Sequence, residues 1–306
     1  MNTTANFDNA LKLCKGGKTE DYYASERVRP NRYYMYYTLE KWNEFLGRMS
    51  SKDKKAYIDG GGKEWEEKED DKKSGVWLPP KMAAYASSSR FIYDLLKGTD
   101  VIFEQKLPTS IPHSVSNMDA FYLDKNIFIE AKCHEFYCSQ SPKYKTAYRE
   151  FYNTLASKTG FSYKPAKEKN NSPISFFMDG KPVEQFDIKQ IISHTLGIAY
   201  ACKNGVEIDD KTELLNLAKG ISLIYLLYNP CELKVYLNDD EWKDIDSKYN
   251  DEVRFVQDNN SFFKALFEIS LEYVGYDSAK ISELVESFEF KVADQLNIKG
   301  IIDSVQ

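Results

Sequence analysis

At 306 residues the chain suits one large domain or two small ones and can bury a substantial core. With 42% hydrophobic and 29% charged residues it has the make-up of a globular protein, unusually rich in tyrosine and phenylalanine. A net charge of −6 excludes a protein that coats nucleic acid through bulk charge alone, but not one with a local basic groove.

Five cysteines (Cys14, Cys133, Cys138, Cys202 and Cys231) form no C-x-x-C pair, and three histidines leave little material for a zinc site. Reduced thiols in a cytoplasmic protein are the expectation. The opening MNTTANFDNALKLCKGG lacks the long apolar core of a signal peptide. No apolar run approaches the ~18 residues that a membrane span needs.

In chain order, residues 1–78 read as a helical and irregular N-terminal extension with one aromatic-rich stretch, RPNRYYMYYTLEKWNEF. The cluster Arg27, Arg29, Arg32 and Tyr33 to Tyr37 within it reads as packing rather than as a nucleic-acid contact. A core is expected over 79–237. It opens with KMAAYASSSRFIYDLLKG, a helix with Gly98 as its C-cap. Three strands follow, VIFEQKL (101–107), NMDAFYL (117–123) and NIFIEAKC (126–133). An insertion of helix and loop occupies 139–185. FDIKQIISHTLGIAYAC (186–202) is a helix capped by Asp187, with Ile188, Ile191, Ile192, Thr195 and Ala199 on its apolar face. ISLIYLLYNP (221–230) reads as a central strand covered on both faces, and ELKVYL (232–237) as its hairpin partner. Residues 238–306 read as a C-terminal helical decoration. The whole is an α/β fold with a mixed central sheet flanked by helices and helical additions at both ends.

The second and third strands carry Asp119, Glu130 and Lys132 where a sheet interior is expected. Glu130 and Lys132 point to one face and Ala131 to the other. A two-residue loop (Asp124, Lys125) or a four-residue loop (Leu123 to Asn126) sets Asp119 opposite Glu130; a three-residue loop separates them. Asp-Lys is a poor two-residue turn, which favours the four-residue loop. Two adjacent carboxylates repel, so that one must hold a proton unless a cation lies between them. Mg²⁺, which keeps several waters and needs only one or two carboxylates, removes that conflict. With a lysine beside the metal-bound water, the set suits metal-assisted hydrolysis of a phosphodiester. The plain alternative is a structural ion pair of Lys132 with Glu130 or Asp119.

This arrangement resembles the PD-(D/E)XK nuclease superfamily, the restriction-endonuclease-like fold, over roughly residues 80–230. The family's core is helix, three-stranded meander, helix, strand. Its motif acid corresponds to Asp119 and its (D/E)-x-K to Glu130-Ala131-Lys132, with Met118 in place of the leading proline. The resemblance implies that Asp119, Glu130 and the carbonyl of Ala131 hold Mg²⁺ (or Mn²⁺), and that Lys132 serves the attacking water. Glu104 matches an additional acid on the first strand, and Glu135 follows the lysine as in some members, although solvation is its simpler reading. Gln190 and His194, four apart on one helix face, are similar to an element that holds the nucleic-acid backbone. SSSRF (87–91) also looks like these proteins.

Between residues 139 and 171, seven basic residues stand against two acidic ones, a local +5. Lys143, Lys145 and Arg149 are the candidates for phosphate contacts, with Tyr144, Tyr148, Tyr152 and Tyr163 available to stack on bases. A solvated lysine-rich surface is the competing reading. The expected function is a Mg²⁺-dependent endodeoxyribonuclease, hence a hydrolase. Its expected partner is DNA, double-stranded ahead of single-stranded, with a homodimer allowed and no membrane partner. The alternatives are a non-cutting nucleic-acid-binding protein on the same fold and an interaction protein with an ion-pair network.

Overall fold

The computed structural model describes residues 3–17, 22–24, 35–62, 64–66, 79–133, 137, 142–184 and 186–305. The N-terminal part contains α1 (Thr3–Cys14), a short antiparallel pair β1 (Tyr22–Ala24) and β2 (Met35–Tyr37), α2 (Leu39–Arg48) and α3 (Ser51–Gly60). Thr38 and Ser50 start the last two helices by accepting the N–H groups of Lys41 and Asp53, which would otherwise lack partners. The core follows as α4 (Ser88–Leu96), β3 (Ile102–Pro108), β4 (Val115–Tyr122) and β5 (Ile127–Lys132). Next come α5 (Arg149–Lys158), β6 (Phe161–Pro165), β7 (Ile174–Met178), β8 (Lys181–Val183) and α6 (Ile188–Asn204). The pair β9 (Val206–Ile208) and β10 (Lys211–Glu213) leads to β11 (Ile221–Leu227). The chain ends with α7 (Asp239–Asp258), α8 (Asn260–Val274), α9 (Ser278–Ser287), β12 (Phe288–Asp294) and α10 (Ile298–Ser304).

The central sheet is mixed, in the order β12-β11-β5-β4-β3. β12, β11 and β5 run parallel, while β5–β4 and β4–β3 are antiparallel. Every residue of β5 and β11 is buried, which is why β11 reads as a continuous apolar run and why Glu130 and Lys132 of β5 stand out. The β4–β5 connection is the four-residue loop: Leu123–Lys125 make one 3₁₀ turn and Asn126 takes the left-handed conformation at φ 50°. The Asn126 side-chain amide donates to the carbonyls of Asn216 (2.7 Å) and Gly220 (2.9 Å), tying this turn to the start of β11. Helix α6 lies between the sheet and α8, with Ser270 donating to Thr195 at 3.2 Å, and is buried on most of its surface.

Three expectations need correction. Residues Pro230–Tyr236 form a 3₁₀ helix, not a strand: Pro230 has no N–H for a ladder, and Asn229 turns the chain by accepting from Cys231 N. The strand beside β11 is instead β12, from the segment expected to be helical decoration. Phe288 stacks on Phe267 and Phe290 on Phe263, each with ring centroids 4.1 Å apart, and that aromatic layer anchors the edge. The insertion also carries more than helix and loop, because β6, β7 and β8 make a separate antiparallel sheet. Of the aromatic-rich N-terminal cluster, Tyr36 and Tyr37 are buried in the core, whereas Arg27, Arg29, Arg32, Tyr33 and Tyr34 lie outside the described residues. Among the described residues no helix is long and apolar enough to cross a membrane.

The edge assignment makes a direct prediction. Phe288→Ala should cost about 3–5 kcal/mol in urea unfolding, as for other buried phenylalanines. Val235→Ala, at an 81% exposed site in the 3₁₀ helix, should change stability by less than about 0.5 kcal/mol. The reverse ranking would restore residues 232–237 as the sheet edge.

Candidate active site at a strand fork

β4 and β5 pair over only three positions, Tyr122–Ile127, Phe121–Phe128 and Ala120–Ile129, and then part. Continued by one residue, that register sets Asp119 opposite Glu130, at the point where the strands separate. β3 follows β4 further, with Phe103 opposite Ala120 and Gln105 opposite Met118, so that Glu104 falls opposite Asp119. On the other side Tyr225 of β11 pairs with Glu130. One row across the sheet therefore reads Glu104, Asp119, Glu130, Tyr225, and directly opposed residues share a face.

The fork is held together by side chains where the ladder stops. Ser222 and Tyr228 donate their N–H groups to the carbonyls of Asn126 and Lys132, so the even residues of β5 serve β11. Ala131 consequently turns its N–H and C=O toward β4. Its N–H donates to Asp119 Oδ2 at 2.7 Å, a side chain taking the place of the missing strand. Lys132 Nζ donates to Glu130 Oε1 at 2.6 Å and to Gln190 Oε1 at 2.5 Å. His194 bridges the gap: Nδ1 bonds Ser116 Oγ of β4 at 2.6 Å, and Nε2 bonds Glu130 Oε2 of β5 at 2.8 Å. An ionised carboxylate only accepts, so Nε2 carries the proton of that bond.

Helix α6 delivers both Gln190 and His194 from one face, one turn apart. It approaches closely because residue 197 is glycine: a Cβ there would lie 2.9 Å from Ser116 Cβ and 3.0 Å from Leu107 Cβ. The expected contact of His194 with a nucleic-acid backbone does not match this position. The ring is 1% exposed with both nitrogens used inside the fold, which makes it an orienting partner of Glu130.

Glu104 reaches the row by an unusual backbone. Its φ is +56°, a conformation that costs a non-glycine residue of order 1–3 kcal/mol. Gly62, just past α3, packs so tightly here that a Cβ would stand 2.5 Å from Glu104 Cβ. Ser89 Oγ of α4 donates to Glu104 Oε1 at 2.6 Å. Ser89 and Ser116 are thus site residues that the sequence does not announce, apart from the position of Ser89 inside SSSRF. Glu135 lies outside the described residues.

Three buried carboxylates in one row raise an electrostatic conflict. Burial, followed by the charges of Glu130 and Glu104, pushes Asp119 well above the ordinary carboxylate range. Burial is also the main force on Glu104, raising it to about 7 although the Lys81 ammonium and the Ser89 hydroxyl pull the other way. Burial works against Glu130 too, yet Lys132 and His194 outweigh it and hold that carboxyl down at about 2. One acid is therefore ionised and locked, and two beside it resist ionisation.

No family model, curated protein or solved structure matches this chain. Among the described residues no group of three or more His, Cys, Asp or Glu side chains is gathered closely enough to hold a metal ion.

Lys143, Lys145 and Arg149 are exposed, as a phosphate contact requires. Lys189 joins them: its Nζ donates to the Lys143 carbonyl at 2.7 Å, and burial and the nearby Lys145 lower its pKa. The tyrosines do not act as expected. Tyr144, Tyr148 and Tyr152 are at most 2% exposed: Tyr144 stacks on Tyr163, Tyr148 packs on Tyr152, and Tyr152 on Phe161 and Phe176, so of the four only Tyr163 keeps a partial surface.

Glu104 binds its proton up to about pH 7 when folded but only to its ordinary 4.5 when unfolded. The folded state thus holds the extra proton inside that window, and stability falls as pH rises through it. Glu104→Gln should raise the unfolding free energy by about 1–3 kcal/mol at pH 8, and the gain should vanish by pH 4. Urea melts at both pH values measure this; a gain independent of pH would contradict the assignment.

Proposed function

We propose that this chain is a metal-dependent nuclease that hydrolyses phosphodiester bonds of DNA from a restriction-endonuclease-like core. The observation that carries the reading is the row Glu104, Asp119 and Glu130 at a strand fork, with Lys132 one step along β5. Such a row is costly to bury without a cation, and that cost is what a divalent ion removes. The donors fit Mg²⁺ or Mn²⁺: hard oxygens from Asp119 and Glu130, the Ala131 carbonyl turned to the same side, and water for the remaining positions. When bound, such an ion lowers the pKa of a coordinated water and neutralises charge on a phosphate.

The chain's own residues divide the remaining work. Lys132, oriented by Glu130 and Gln190, guides the attacking water and offsets the negative charge that gathers on the phosphate. His194, braced by Ser116, fixes the rotamer of Glu130 and touches no substrate. Lys143, Lys145, Arg149 and Lys189 neutralise flanking phosphates, which explains how an acidic protein holds a polyanion.

A second reading is favoured by one observation. The chain Gln190–Lys132–Glu130–His194–Ser116 is fully hydrogen-bonded, as a structural network spanning the fork would be. Cleavage separates the two. Supercoiled plasmid and single-stranded DNA should be cut with Mg²⁺ or Mn²⁺ and spared in EDTA, and Lys132→Ala should slow cutting by about 10²–10⁴-fold. Melting curves must show the variant folded. Wild type idle in both metals, or a folded Lys132→Ala that cuts at the same rate, would favour the structural network.

A further inference from the structure

The two edges of the central sheet differ. β3 is shut off: Gly60 of α3 comes so near that a Cβ there would stand 2.0 Å from the Phe103 carbonyl oxygen. Beside it, Gln105 Nε2 donates to the Glu207 carbonyl of β9 at 3.2 Å. β12 ends the other side, and among the described residues no strand pairs with its outer edge. α10 leads away from that edge, because Lys125 Nζ at the β4–β5 turn donates to the carbonyls of Ile302 and Val305 at 3.1 and 2.8 Å. An uncovered edge strand is a template for pairing with another chain, which proteins ordinarily block.

The ladder decides which groups of β12 face outward. Even residues of β11 serve β5, so its odd residues serve β12. A parallel partner answers from the two residues that flank each opposed one, and Leu223 lies opposite Phe290. Glu289 and Lys291 therefore turn their backbone groups to β11, whereas Phe288, Phe290 and Val292 turn theirs outward. The side chains alternate as well. Phe288 and Phe290 are buried against α8, with the half-buried Val292 on their side, while the exposed Glu289 and half-buried Lys291 share the opposite face. Lys291 Nζ meets Glu289 Oε2 at 2.5 Å along the strand.

We infer that β12 pairs antiparallel with β12 of a second copy about a two-fold axis at Phe290, joining two five-stranded sheets into one. Phe290 then faces the partner's Phe290, and Phe288 faces the partner's Val292, each pair exchanging its outward N–H and C=O groups. Glu289 falls opposite the partner's Lys291, and Lys291 opposite the partner's Glu289. These are the non-hydrogen-bonded positions, where side chains approach most closely. Charge selects both the occupant and the register. An axis at Glu289 would set glutamate on glutamate, and one at Lys291 would set lysine on lysine. An edge guarded against its own kind carries charges that repel a second copy; this one carries opposite charges two residues apart, which attract an antiparallel one. The plainer role of Glu289 and Lys291, an ion pair within one strand, contributes little at this exposure. The inference stands apart from the nuclease reading and uses none of its residues.

Sedimentation velocity of the full chain over a concentration series tests this. Wild type should dimerise. Glu289→Lys and Lys291→Glu each give a strand of one sign and should weaken self-association at least about 10-fold. An equal mixture of the two variants should recover association, because a lysine strand then meets a glutamate strand. The double swap Glu289→Lys/Lys291→Glu, complementary to itself again, should dimerise like wild type. Neither side chain is buried, and melting curves check that each variant is folded. Wild type still monomeric at ~100 μM, where a micromolar interface would be filled, overturns the inference. So does a dimer that both folded single variants keep, or a mixture that associates no better than its parts.

Discussion

The parting of β4 from β5 after three residue pairs is the constraint on which the rest of this molecule depends. Where a ladder stops inside a sheet, backbone donors and acceptors on the inner edges need new partners. Here Asp119 supplies one by accepting from Ala131 N–H, and His194 ties Ser116 to Glu130 across the gap. Helix α6 must therefore lie close over the fork, which Gly197 permits, and the layer of α8 that covers α6 follows from the same arrangement. The fork lies within the buried core, and three acids, Glu104, Asp119 and Glu130, stand along it.

Electrostatics then decides how those acids behave. Glu130 is the settled member, with Lys132 and His194 on its two oxygens. Asp119 and Glu104 carry the strain: both are buried, both lie in a row with an ionised neighbour, and Glu104 holds a backbone conformation few glutamates adopt. A fold selected for stability alone would replace one of these acids, whereas a binding site keeps them and gives up some stability. Under the proposed reading the site would draw on two carboxylates and a carbonyl, which suits a cation that retains its water.

Much of this was legible in the sequence because local rules act on it. The loop from Leu123 to Asn126 fixes the register, and the register alone brings Asp119 opposite Glu130. The all-apolar run of β11 marks a strand covered on both faces. Other features rest on contacts that no local pattern encodes. The bond from His194 to Ser116 spans 78 positions, and the positive φ of Glu104 has no glycine to signal it. β12 carries a local sign in the alternation of FEFKV, but it follows α9 directly at Ser287 with no turn former between them, and its place beside β11 depends on the aromatic rings of α8. The tyrosines of the insertion misled through their company of lysines: Tyr144 and Tyr148 precede α5 and only Tyr152 lies on it, yet all three are buried, with Tyr144 stacked on Tyr163 and Tyr152 packed on Phe161 and Phe176.

The most direct test of the acid row is a Mn²⁺ titration followed by electron paramagnetic resonance, with wild type beside Asp119→Asn. The account predicts that wild type removes the signal of free Mn²⁺ saturably, that excess Mg²⁺ restores it, and that the folded Asp119→Asn protein leaves it nearly untouched. A full free-ion signal with folded wild-type protein would contradict the account, and the fork would then stand as an ion-pair network alone.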